Sequence, residues 1–95
     1  MTESRRRILV VEDEPTLRET LVEALELEGY RALAAADGRE ALVRFRADNP
    51  DLVLLDLQLP ELSGIEVCRL IRAESGVPIV MLTARSSEVD KVVGL

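Results

Sequence analysis

Cysteine is almost missing from this chain of 95 residues: Cys68 stands alone, so no internal disulfide can form. It falls in an expected helix beside Val67, Leu70 and Ile71, where a buried and inert thiol is the expectation. Long apolar runs are missing too. No stretch reaches the roughly 18 residues needed to span a bilayer, and the N-terminus lacks the apolar segment of a signal peptide. A cytoplasmic chain with no membrane partner is expected. Positive charge is in short supply, with 12 Lys and Arg against 18 Asp and Glu and a net charge of -6. Such a balance repels phosphate backbones, so no nucleic acid is expected to bind this chain directly. The one basic cluster, Arg5-Arg6-Arg7, precedes an apolar run and reads as its solvated lead-in. Repeats, low-complexity tracts and linkers are absent, which leaves one domain over residues 1–95. There is also no G-x-G-x-x-G after the first apolar run. Glu12-Asp13-Glu14 stands there instead, which excludes the glycine-amide phosphate cradle of dinucleotide sites.

What is present is a regular alternation of apolar runs and helical patterns. Ile8-Leu9-Val10-Val11 is apolar without alternation, as in a strand covered on both faces. Pro15 suits a first helical position, and Leu17, Leu21, Ala24 and Leu25 follow at helical spacing as far as Gly29. Tyr30 to Ala35 is a second, weaker strand. Asp37-Gly38 starts a helix bearing Ala41, Leu42 and Phe45 on one face, and Asn49-Pro50 ends it. Leu52-Val53-Leu54-Leu55 forms a third strand closed by Asp56. After a loop through Pro60 and Gly64, Ser63-x-x-Glu66 has capping-box spacing and leads into the apolar residues Val67, Leu70 and Ile71 of a third helix. Val77 to Leu82 is a fourth strand with Pro78 near its start, and Ser87-x-x-Asp90 could cap a fourth helix. Strand and helix in strict alternation, joined by short connections, give a parallel sheet covered by helices on both faces.

In such a sheet the ligand site lies at the carboxyl ends of the strands, which here carry Glu12 and Asp13, then Asp56, then Thr83. A lone carboxylate after a strand commonly caps a helix or faces water. Three on one rim repel one another, and a hard divalent cation holds them ionised together. Mg2+ suits oxygen ligands and accepts phosphate oxygens as well. Asp56, fixed at the end of an apolar strand, is the candidate nucleophile, and an aspartyl nucleophile yields an acyl phosphate. The Thr83 hydroxyl and the amides of Leu57 and Ala84 are candidate donors to the phosphoryl oxygens.

Ile8-Leu9-Val10-Val11-Glu12-Asp13-Glu14, Leu54-Leu55-Asp56-Leu57-Gln58-Leu59-Pro60 and Met81-Leu82-Thr83-Ala84 resemble the three signature stretches of response-regulator receiver domains of two-component signalling. The resemblance runs from about Arg7 to Leu95. It implies a flavodoxin-like α/β fold, a three-layer αβα arrangement with a parallel sheet in the order 2-1-3-4. It makes Asp56 the phosphoacceptor, supplied by a sensor histidine kinase, and Thr83 the switch residue. Glu12, Asp13, Asp56 and the Gln58 backbone carbonyl become ligands of Mg2+. Residues Ala84 to Leu95 are similar to the subfamily in which a winged-helix DNA-binding domain follows, so control of transcription by a longer parent protein is implied.

Family receivers continue through a fifth strand ending in a lysine, and a fifth helix, both absent from these 95 residues. Lys91 lies inside the expected fourth helix and does not replace that lysine. The expectation is a C-terminally incomplete receiver whose exposed fourth strand is completed either by a second copy, as a homodimer or strand-swapped dimer, or by residues beyond Leu95. An inert interaction module that keeps the fold without switching is one alternative. A haloacid-dehalogenase-type phosphatase is another, but it would need a general-acid aspartate where Gln58 stands. A signalling module is expected, and not an enzyme.

Overall fold

A computed structural model describes residues 5–82 of the chain. Its elements run β1 (Arg7–Val11), α1 (Pro15–Leu27), β2 (Arg31–Ala35), α2 (Gly38–Asp48), β3 (Leu52–Asp56), α3 (Gly64–Arg72) and β4 (Ile79–Leu82). All pairings are parallel and the sheet order is β2-β1-β3-β4, as the resemblance implies. The expected fourth helix, with Thr83 and Ala84, lies outside the described residues.

Each helix start has a local cause. Asp37 accepts a hydrogen bond from the Glu40 amide at 2.8 Å and Ser63 accepts one from the Glu66 amide at 3.2 Å, each tying down an amide with no partner inside the helix. Pro15 occupies the first turn of α1, and Glu14 caps it by accepting from the Leu17 amide at 2.8 Å. The ends are equally local. Asn49 takes the left-handed conformation (φ 52°) after α2, and Gly29 does so (φ 96°) after α1.

Strand residues alternate between two faces. Leu9, Val11, Val53 and Leu55 point to the side covered by α2 and α3, where they form the buried core with Ala41, Phe45, Val67 and Ile71. The opposite face carries Ile8, Leu52 and Leu54, which line an open cleft with Leu25 of α1 and Tyr30. Covering there is thinner among the described residues: Leu52 and Leu54 are half-buried, and α1 buries no residue completely. Full cover on both faces therefore holds for Ile8 to Val11 of β1 but not for β3.

Three expectations need correction. Leu70 does not share the buried stripe of α3: Val67 and Ile71, one turn apart, are inside, while Leu70 lies off their axis and is 36% exposed. Cys68 is half-buried against the core and not enclosed. The fourth strand begins at Ile79 and not Val77, although the Pro78 carbonyl already accepts from the Val53 amide at 3.0 Å. The lead-in reading of the basic cluster agrees with Arg7, whose guanidinium donates to the Asp48 carbonyl and whose amide donates to Asp51.

Leu55 is fully enclosed and Leu27 is 86% exposed. Denaturant melts should show Leu55→Ala losing about 2 to 5 kcal/mol. Leu27→Ala should stay within about 0.5 kcal/mol of the parent. Equal losses would contradict the placement of the core.

Candidate functional site

β1 and β3 are hydrogen-bonded neighbours, with Val11 opposite Leu55, so the residues that follow them emerge side by side at the carboxyl edge of the sheet. Glu12, Asp13 and Asp56 meet there. Each offers a carboxylate oxygen, and these oxygens all lie within 4.8 Å of one another. Glu12 and Asp56 are each only 2% exposed, whereas Asp13 opens to solvent. The three line a cleft of about 440 Å³ together with Gln58, Leu59 and Pro60.

Backbone contacts hold each piece in place. The Glu12 amide donates to the Ala35 carbonyl at 3.1 Å, and its Oε2 accepts from the Glu14 amide at 3.1 Å. Asp56 Oδ1 accepts from the Gln58 amide at 3.1 Å, which orients the carboxylate at the top of β3. The Leu57 amide, expected to face a phosphoryl group, is engaged elsewhere. It donates to the Leu82 carbonyl at 3.0 Å and so extends the β3–β4 ladder by one bond.

Two residues that sequence reasoning did not single out complete the site. Gly64 opens α3, and its amide donates to the Leu57 carbonyl at 3.0 Å. A Cβ at this position would collide with the Asp56 carbonyl oxygen and come within 2.7 Å of Leu57 Cα, so only glycine lets the helix start so close to β3. Arg18 of α1 donates to the carbonyl of Glu12 at 2.9 Å. For neither was there a strong sequence signal, since a glycine near a loop and an arginine on a helix are ordinary.

Burial, and to a lesser degree the crowding of like charges, shows in the pKa of Glu12. Burial raises its pKa from the ordinary 4.5 to about 7, the Glu14 amide opposes the rise, and the Asp56 charge, a hydrogen bond with Asp56 and the Asp13 charge add to it. An all-oxygen donor set of this kind matches the preferences of Mg2+, which tolerates water in its remaining positions. A cation there would replace the proton on Glu12 and relieve the repulsion.

The profile of the response regulator receiver domain family matches residues 8–95. The chain belongs to the response-regulator receiver family. It is 55% identical over 95 residues to the DNA-binding response regulator MtrA of Mycolicibacterium smegmatis, a match that takes in 100% of this chain and 42% of MtrA. The receiver thus spans less than half the length of that curated relative. Among solved structures it resembles the response regulator TrrA of Thermotoga maritima in complex with Mg2+ and BeF. There the TM-score is 0.81 with 45% identity, over 92% of this chain and 76% of TrrA. A second similar structure, of the histidine kinase ThkA in complex with TrrA, gives a TM-score of 0.77 and 49% identity, over 83% of this chain and 69% of that one. No helix among the described residues is long and apolar enough to cross a membrane.

Two outcomes follow for the metal-free receiver. The folded state keeps a proton on Glu12 that the unfolded chain has released, between pH 4.5 and about 7. The stability this contributes is complete below pH 4.5 and is lost as pH rises through about 7. Melting temperatures across this range should therefore show Glu12→Gln gaining on the parent as pH increases. A constant difference between the two would contradict the raised pKa. Gly64→Ala should cost about 1 to 3 kcal/mol in denaturant melts, the usual cost of overpacking, and an unchanged midpoint would show that α3 can retreat without loss.

Proposed function

We propose that the receiver accepts a phosphoryl group on Asp56 from a sensor histidine kinase, with Mg2+ held by Glu12, Asp13, Asp56 and the Gln58 carbonyl. The observation that carries this reading is the convergence of three carboxylates on one buried rim, within 4.8 Å of one another. Such a cluster is costly without a cation, and one member ends a rigid apolar strand. The TrrA complexes support the assignment, because BeF is a tetrahedral mimic of a phosphoryl group and ThkA is a histidine kinase.

Asp56 would attack phosphorus through a carboxylate oxygen, forming an acyl phosphate as the bond from phosphorus to the donor's nitrogen breaks and the nitrogen keeps the electron pair. Bound Mg2+ supplies charge neutralisation for the carboxylates and the incoming phosphoryl oxygens. Gln58 keeps Asp56 in one orientation through its amide. Glu12 must be ionised to take part, so its proton leaves when the cation arrives. We assign Thr83, the residue after Leu82 in the sequence, the role of hydroxyl donor to the phosphoryl group and switch residue. Gln58 also sets the reading apart from a dehalogenase-type phosphatase, since an amide cannot serve as general acid.

The setting we assign is the cytoplasm, where kinase and Mg2+ are both at hand. MtrA is a DNA-binding response regulator, and by analogy the phosphoryl group would control a DNA-binding output in a longer parent protein. This chain, at a net charge of -6, would not itself contact the DNA.

Incubation with acetyl phosphate and Mg2+ followed by intact mass measurement tests the proposal. The parent chain should gain the mass of one phosphoryl group, and Asp56→Ala or omission of Mg2+ should abolish the gain. Equal modification of Asp56→Ala would show that the acceptor lies elsewhere. No modification of the parent would remove the proposed activity from this chain.

A further inference from the structure

The acidic turn after β1 is gripped from α1 by a single side chain. Arg18 is the fourth residue of α1, and it is half-buried among exposed neighbours. Its Nη1 donates to the Glu12 carbonyl at 2.9 Å and, more weakly, approaches the Asp13 carbonyl at 3.4 Å. These are the backbone carbonyls of two of the three clustered acids. Residue 12 is thereby pinned at its amide by Ala35, at its carbonyl by Arg18 and at its carboxylate by the Glu14 amide.

Helix stability does not account for Arg18. A cation near a helix N-terminus opposes the helix dipole, and the favourable charge at this end of α1 is already supplied by the Glu14 cap. Side chains on a helix lean toward its N-terminus, which aims this guanidinium back over the turn that precedes α1. Both contacts go to backbone oxygens, so Arg18 acts on where the carboxylates stand.

We infer that Arg18 is a positioning residue that holds Glu12 and Asp13 in the arrangement needed to bind a divalent cation together with Asp56. The inference rests on the reading of this cluster as a Mg2+ site. Arginine is suited to the task because the planar guanidinium fixes the directions of the N–H groups on Nη1, the one nitrogen that faces both carbonyls, whereas the lysine ammonium is a point charge on a flexible stem.

Mg2+ titrations of the 15N-labelled chain, read from the amide shifts of Asp13, Glu14 and Gln58, test the role without relying on phosphorylation. Arg18→Gln should weaken Mg2+ binding about fivefold, the size expected for loss of one hydrogen bond, with the folded spectrum retained. Arg18→Lys should recover less than half of that loss. Arg46→Gln removes a guanidinium that pairs with Glu74 across α2 and the turn after α3, far from the acids in sequence. It should bind Mg2+ like the parent, even if its melting temperature falls. Unchanged affinity in Arg18→Gln, complete recovery in Arg18→Lys, or equal weakening in Arg46→Gln would each overturn the inference. If the parent itself shows no saturable shifts with Mg2+, the metal site fails and this role fails with it.

Discussion

Burial of Glu12 and Asp56 beside Asp13, at the carboxyl edge of the sheet, is the constraint on which the site depends. Two of these carboxylates are almost wholly removed from water, and all three present oxygens within 4.8 Å of one another. Burial and like charge both disfavour full ionisation, and the pKa of Glu12 rises to about 7 as a result. The cluster can be relieved by a proton or by a cation. Those two states differ in charge at a rim held by backbone hydrogen bonds, which is what makes it suitable for chemistry.

Rigidity comes from the strands and turns beneath it. β1 and β3 are paired in register and their core-facing residues are fully enclosed, so the residues that follow have little freedom. Amides of Glu14 and Gln58 then aim the two buried carboxylates, and Gly64 allows α3 to begin directly against the end of β3. The membership of the receiver family and the physical reading of the rim agree.

Much of this could be read from the residues alone, because its causes are local. Apolar runs without alternation marked β1 and β3, Asp37 and Ser63 marked helix starts, and carboxylates after strands marked the rim. Features that depend on distant partners were not legible. The Leu57 amide pairs with Leu82 because β4 lies beside β3, a fact of register that no local pattern carries. Arg18 looks like any helix arginine until its reach to the Glu12 carbonyl is seen, and Gly64 looks like a loop residue until its neighbours are placed. Leu70 and Cys68 were misplaced for a smaller reason: helical spacing gives a stripe, and its edge depends on how the helix is rolled against the sheet.

If relief of carboxylate crowding is the central feature, metal uptake must expel a proton. Calorimetric titration of Mg2+ at pH 6 in buffers of different ionisation enthalpy measures that proton directly. The account predicts release approaching one proton per bound ion at pH 6, fading above about pH 7 and lost in Glu12→Gln. Saturable binding with no proton release at pH 6 would contradict it.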